Sequence, residues 1–360
     1  MSLDAEREAL VDELRATVRS ACASLGGPEC ARRAIDAGTP GADVKAWAVL
    51  SEQVGIAGLG LPEEHGGIGG LPEMIAVSEV LGATLLPVPF FSSTVLAGQV
   101  LARCNPSASA PLEAIAGGET AALAALGNDG WWDSGHAGFA LDTGGRVSGH
   151  GPTVLGAPGA RWLIVATSGQ LVLVDLEDSE CEVVPLATLD LTRSAGAVTL
   201  TAAACSVISD RPERALQPAL DVAAVVLAAE QLGGAQACLD MTVSYVKERH
   251  QFSRPIGSFQ AIKHTLADAL VKIEMGRSAL ARAIELADDP DGLAEPSAVA
   301  RIWCNEAYRF VSAEAIQLHG GIGFAWEHDA HLYFRQARAD ALILGTTSSW
   351  RERLAGILNW

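Results

Sequence analysis

The periodicity of apolar residues changes twice along this 360-residue chain, and those two changes limit the fold more than any other feature. From Asp4 to about Ala116 the apolar spacing is helical, broken by glycine and proline at GLGLPEEHGGIGG and LLPVPF. Between about Gly117 and Ser209 it gives way to short β-branched runs, RWLIVAT, QLVLVDL, CEVVPL and AVTLTAA, separated by turn residues. Beyond Pro212 helical patterns return, and Ile262, Leu266, Leu270, Ile273, Leu280 and Ile284 recur at three- or four-residue steps or their multiples, predicting one apolar helix face. The expectation is an α+β, mainly helical chain in three parts: 1–116 helical, 117–209 a small β domain, and 210–360 a helical bundle. Strands and helices do not alternate, and Gly58-x-Gly60 lacks a third glycine, which argues against a Rossmann dinucleotide fold.

Charge narrows the partners. Asp and Glu number 43 against 25 Lys and Arg, a net charge of -18, which opposes general attraction to nucleic acid or an anionic membrane. An anionic ligand must therefore meet a local basic cluster. The seven cysteines form no CxxC and no close pairing with histidine, so free thiols are expected and neither a metal site nor a disulfide framework is. The N-terminus, MSLDAEREALVDELRA, is acidic and amphipathic, unlike a signal peptide, and the apolar stretch Val222 to Ala229 is too short to span a bilayer. The expected setting is the cytoplasm.

The chemistry concentrates in YVKERHQFSRPIGSFQAIKHTLAD, Tyr245 to Asp268, where a helix runs into a turn marked by Arg254-Pro255 and a second helix begins near Phe259. Arg249, His250 and Arg254 lie beside Phe252 and Phe259, a combination suited to a ligand carrying both phosphate and an aromatic ring. By spacing alone the same residues also read as a solvated turn between antiparallel helices. Further on, His319-Gly320-Gly321 reads equally as a glycine helix cap.

The two stretches together resemble the acyl-CoA dehydrogenases. The pattern Y...ER.QF.RPI..FQ..K..LAD is followed by Gln317-Leu318-His319-Gly320-Gly321-Ile322-Gly323-Phe324 and then Arg335-Gln336-Ala337-Arg338, and the helix-sheet-helix order covers the whole chain. The resemblance implies an N-terminal helical domain, a middle β domain and a C-terminal four-helix bundle that mediates oligomerisation, with FAD lying across a subunit boundary. It also implies that Arg249, Gln251 and Phe252, with Ile256 and Phe259, serve the pyrophosphate and adenosine end of a neighbouring subunit's FAD, and that Gln317, Leu318, Gly320 and Gly321 approach it from the second stretch.

Departures from the family are as informative as the matches. The glutamate that removes the substrate α-proton in many members falls at Leu344, in Ile343-Leu344-Gly345-Thr346, and the alternative position, counting back from Tyr245, falls at Ala223. Asp221 and Glu230 occupy the same helix out of register, weak candidates for a base whose simpler role is interhelical pairing. The family's Thr-Glu-Pro-x-Ala-Gly-Ser-Asp loop and Trp-x-Thr segment, which hold a subunit's own flavin, are missing from ALAALGNDGWWDSGHAG and HGPTVLGAPGARWLIVAT. Trp131 and Trp132 point to opposite faces if they lie on a strand, so at most one could stack on a flavin.

A chain that keeps the groups for a neighbour's FAD and lacks its own resembles the incomplete subunit of actinobacterial α2β2 acyl-CoA dehydrogenases of steroid side-chain degradation. The implied partner is a homologous subunit carrying the catalytic Glu, with an acyl-CoA substrate, shared FAD and an electron-transferring flavoprotein as acceptor. The alternatives are a structural subunit without flavin, and a self-sufficient homomeric enzyme using Glu230 or Asp221. HGGIG occurs twice, at His65 to Gly69 and at His319 to Gly323, in unrelated surroundings, so no internal repeat is expected; the first copy reads as a tight loop between helices.

Overall fold

The computed structural model describes residues 3–104, 108–125, 138–178, 180–289 and 292–360. Helices come first: α1 (Leu3–Leu25), α2 (Pro28–Asp36), α3 (Val44–Ala48), α4 (Leu71–Thr84), α5 (Gln99–Leu101) and α6 (Ser109–Ala116), with π-helical turns over Phe91–Gly98 leading into α5. Strands follow: β1 (Ala121–Ala124), β2 (Phe139–Leu141), β3 (Arg146–Leu155), β4 (Trp162–Thr167), β5 (Gln170–Asp175), β6 (Cys181–Pro185), β7 (Ala195–Ala204) and β8 (Ser206–Ser209). Then come α7 (Pro212–Glu248), the short strands β9 (His250–Gln251) and β10 (Arg254–Pro255), α8 (Gln260–Glu285), α9 (Ala294–His319), α10 (Ala330–Asp340) and α11 (Thr347–Ile357).

The strands form two sheets, β1-β4-β5-β8 and β2-β3-β7-β6. Along β4 and β5, Leu163, Val165, Val172 and Val174 face the second sheet's Val147, Val154, Val198 and Leu200, while Ile164, Ala166, Leu171 and Leu173 face the helical core. The first sheet is therefore covered on both sides, which is why its sequence is almost continuously apolar rather than alternating.

Helix α7 is the axis of the molecule, packing against α4 and α9, and α8 and α10 complete the bundle. Its crossing with α4 requires glycine on both partners. A Cβ on Gly82 would lie 2.0 Å from Glu230 O, and one on Gly233 would lie 1.9 Å from Glu79 O. Helix α7 is also long and apolar enough to cross a membrane by length and composition, contrary to the short apolar stretch read from the sequence. Its apolar window is 89% buried inside the protein, as in a core helix.

The apolar face expected on α8 is only partly the buried one. Ile273 and Leu280 are buried, whereas Leu270 and Ile284 are exposed. The buried stripe is completed instead by the small residues Ala269, Gly276, Ala279 and Ala283. Side-chain size misled the periodicity: a Cβ on Gly276 would meet Cys304 Sγ at 3.0 Å, so α8 approaches α9 through residues that carry little apolar signal.

Candidate functional site: an exposed hairpin ridge and a buried ionic cluster

The turn after α7 is a two-residue β-hairpin in which Gln251 pairs with Arg254 and His250 with Pro255. Its tip, Phe252 and Ser253, has φ of 51° and 61°, left-handed values that non-glycine residues adopt at a cost. That strained tip presents Phe252 almost fully to the outside, 87% exposed, with its ring edge-on to Phe259 at 6.1 Å. The Arg254 guanidinium lies over the Phe259 ring at 4.0 Å. Arg249 and Gln251 are exposed, and Ile256 and Phe259 are half-buried. Among the described residues no carboxylate pairs with Arg249.

The second stretch reaches the same end of the bundle. Tyr245, on the last turn of α7, stacks on His319, the last residue of α9, with ring centroids 4.3 Å apart. Beyond His319 the chain turns through Gly320 at φ 62° and ψ -139°, a conformation open to glycine alone, into a 3-10 turn over Gly320–Phe324. Gln317, Gly320 and Gly321 are exposed and Leu318 is half-buried. A Cβ added to Gly320 or Gly321 would meet nothing within 4 Å, so a ligand can approach the backbone there. At the first HGGIG copy a Cβ on Gly67 would sit 1.9 Å from Leu61 O, so that glycine serves internal packing.

This ridge fits the phosphate and adenosine end of FAD by its donor set. Arg249 offers a guanidinium for phosphate oxygens, Phe252 a flat apolar surface, and Gly320 and Gly321 an unobstructed backbone. The chemistry of the flavin ring needs a different place and a base.

The positions expected for a base are closed. Leu344 is 2% exposed, with its backbone at φ 59° and its carbonyl accepting from Trp350 Nε1 at 2.8 Å; Ala223 is fully buried. Asp221 joins α7 to α11 through Arg353 Nη1 at 2.5 Å and Nη2 at 2.9 Å, and accepts from Ser297 Oγ at 3.1 Å. Glu230 lies in a buried ionic cluster. Arg193, from the loop between β6 and β7, donates through Nη2 to Glu230 Oε1 at 2.9 Å and Asp340 Oδ1 at 3.1 Å, and its Nε is 3.7 Å from Asp190 Oδ2. Gln336 Nε2 donates to Glu230 Oε1 at 3.3 Å and accepts from Tyr308 at its own Oε1 at 2.7 Å. Arg301 donates to Gln231 Oε1 and to the carbonyls of Asp340 and Ile343.

Sequence reasoning missed Arg193, Arg301, Asp190 and Asp340. Burial raises the Asp340 carboxyl to about 8, with Arg193 opposing and Glu230 adding to the rise. Burial likewise raises Glu230, against the pull of Arg193, and lowers Arg301 to about 10. Arg193 itself is raised despite burial, because Glu230 and Asp340 hold its proton. Three carboxylates, Asp190, Glu230 and Asp340, thus share the one Arg193 guanidinium beside the very segments, around Leu344 and along α7, where a base is expected.

A cavity of about 360 Å³ opens between α3 and the strand layer, lined by Trp47, Gly156 and Ser194 and by Asp43, Glu119, Glu177 and Arg161. Arg161 is already engaged by Glu119 at 3.0 Å, Asp175 at 3.5 Å and Glu177 at 3.8 Å, so the lining repels phosphate. All seven cysteines are free, and among the described residues no group of three His, Cys, Asp or Glu side chains is placed to hold a metal. Trp131 and Trp132 lie outside the described residues.

Comparison with known proteins gives the chain its relatives. Residues 214–358 match the acyl-CoA dehydrogenase C-terminal domain. The chain is 38% identical to the acyl-CoA dehydrogenase IpdE2 of Mycobacterium tuberculosis over 95% of both chains. Among solved structures it is similar to the Tcur3481-Tcur3483 steroid ACAD, at 30% identity, 98% coverage of both chains and a TM-score of 0.85. It is equally similar to the ChsE4-ChsE5 complex from Mycobacterium tuberculosis, at 30% identity, 97% coverage of both chains and a TM-score of 0.85.

Proposed function

Because this chain belongs to the acyl-CoA dehydrogenase family, we propose that it is the incomplete subunit of a heteromeric FAD-dependent enzyme that desaturates an acyl-CoA thioester at its α and β carbons. One observation carries the reading: the exposed ridge of Arg249, Gln251, Phe252, Gly320 and Gly321 survives intact in a chain whose base positions are the buried, apolar Leu344 and Ala223. The ridge binds the diphosphate and adenosine end of a FAD whose flavin ring is held by a homologous partner subunit. That partner supplies the glutamate that removes the α-proton. FAD, when bound, accepts the β-hydrogen as hydride.

Within this division of labour the chain's own residues bind and orient. Arg249 neutralises phosphate, Gln251 and Gln317 offer amides, Phe252 and Phe259 cover the adenine, and Ile256 and Leu318 back the contact. The boundaries 1–116, 117–209 and 210–360 separate the packing helices, the strand layer and the bundle that mediates assembly. Similarity to a steroid ACAD and to a two-component ChsE4-ChsE5 complex supports a bulky steroid acyl group and a heterotetramer. The same reading carries a cytoplasmic subunit with an electron-transferring flavoprotein as acceptor.

The test is flavin stoichiometry. The chain is purified alone and together with a homologous subunit that carries the catalytic glutamate, and flavin absorbance is measured per polypeptide. Flavin only in the mixed preparation, at fewer than one per polypeptide, supports the half-site. A full complement in the lone chain makes it a self-sufficient enzyme, and none in either makes it a structural subunit.

A further inference from the structure

His319 joins the two halves of the ridge, and its ring is hydrogen-bonded at one nitrogen and unpartnered at the other. Tyr245 stacks on it at 4.3 Å with planes 24° apart, and the Tyr245 hydroxyl donates to His319 O at 3.5 Å. His328, from the segment after the 3-10 turn, tilts against the same ring at 4.6 Å. Gly323 completes the packing, since a Cβ there would stand 3.1 Å from the His319 Cβ. His319 Nδ1 lies 2.7 Å from Ala315 O. A carbonyl only accepts, so Nδ1 carries the proton and Nε2 of the neutral ring is a bare lone pair. That Nε2 is buried with no hydrogen-bond partner, in a residue only 4% exposed.

We propose that His319 is a proton-sensitive positioning residue, which holds the hairpin of Arg249 and Phe252 in register with the turn of Gly320 and Gly321 only while its ring is neutral. A second proton would sit on Nε2, where no acceptor meets it and another imidazole is in contact, so the charged ring must leave the stack and take the turn with it. The proposal rests on the ridge being the FAD-binding surface.

The titratable groups that face His319 are Tyr245 from α7 and His328 from the following segment. Neither is a carboxylate. The adjacent His331 stacks on Trp326 and answers to Arg32, Arg335 and Asp329 instead. Burial lowers the His319 pKa, the Ala315 carbonyl opposes this, and His328 lowers it further. A released ring titrates near the ordinary 6.5, the docked ring below it. Docking is therefore complete above the ordinary value and is lost as pH falls through the docked one.

The experiment measures FAD affinity by flavin fluorescence from about pH 8 to pH 5, on the chain mixed with the glutamate-bearing homologous subunit. Wild type and His319→Gln are compared; the amide cannot gain a proton and stays flat enough to stack on Tyr245. In parallel, histidine side-chain and backbone NMR follows the lone chain over the same range. The wild-type affinity is expected to be level above the ordinary histidine value and to fall toward acid, approaching tenfold per pH unit for one proton. His319→Gln is expected to lose that acid limb. A wild-type profile without the limb, or a variant that keeps it, overturns the proposal and leaves the FAD reading standing. Absence of FAD binding at every pH defeats the FAD reading, and NMR then decides the brace. A depressed His319 titration that shifts the amides of 249–254 and 320–324 in wild type alone supports it, and titration at the ordinary value overturns it.

Discussion

Arg193 and Glu230 meet at 2.9 Å with little access to water, one from a loop of the strand layer and the other from the axial helix α7. Asp340 shares the same guanidinium nitrogen at 3.1 Å, so one side chain clasps the strand layer, α7 and α10 together. Its Cζ also lies 5.0 Å from the centre of the Phe91 ring, which brings the π-helical turns into the same junction.

Removing that clasp leaves three buried carboxylates, Asp190, Glu230 and Asp340, without their shared cation. Arg193→Met is expected to destabilise the chain by ~3–5 kcal/mol, the usual cost of breaking a buried pair from one side. The loss should be smaller at about pH 5 than at pH 8, because Glu230 and Asp340, both already raised by burial, take up protons once the guanidinium is gone. Urea unfolding midpoints at the two pH values check both the size and the sign.

Asp340 carries a pH dependence of its own. Its carboxyl is raised from 3.8 to about 8. The folded state therefore binds more protons than the unfolded state across that window. The stability from this group is present in full below the unfolded value and is lost as pH rises through the folded one. Asp340→Asn should flatten the decline in unfolding free energy between about pH 5 and pH 8. An unaltered slope in denaturant titrations would count against the cluster as its origin.

The ridge separates binding from folding. Arg249 is exposed, so Arg249→Gln should leave the melting temperature unchanged while FAD affinity in the mixed complex falls by roughly tenfold or more, as expected when a charge-assisted contact to phosphate is lost. Gly321→Trp makes the same point sterically. The open space beyond Gly321 accepts the new side chain without strain, yet the indole occupies the path of the dinucleotide. A folded variant with no bound flavin is the expected result, read by circular dichroism and flavin absorbance.

Legibility in the sequence followed side-chain chemistry. The runs that became β4, β5, β6 and β7 are rich in Val, Leu and Ile and were readable. Strand β1, AALA, and strand β3, with glycines at 149 and 151, carry little β propensity and acquire their conformation from pairing with β4 and β7. Arg249, Phe252 and Gly320 were legible because motif and spacing travel together within each stretch. Arg193 and Asp340 were not, since 147 residues separate them and only the packed fold makes them neighbours. The hairpin at Phe252 was also hidden, because its left-handed tip is imposed on residues that do not advertise it.

Restoring a glutamate at the vacant base position tests whether this interior still holds a catalytic space. Leu344 is 2% exposed, sits at φ 59° and is fastened through its carbonyl to Trp350. In Leu344→Glu the new carboxylate enters an apolar site already anchored by that hydrogen bond. Burial raises its pKa there, so the variant should be destabilised by about 3 kcal/mol or more near pH 8, where the carboxylate must be buried in its charged form, and by less near pH 5. The lone chain should gain no acyl-CoA-dependent flavin bleaching if, as proposed, its own half of the flavin site is supplied by the partner subunit. Bleaching by the lone variant would show instead that the cleft survives and that only the base was lost.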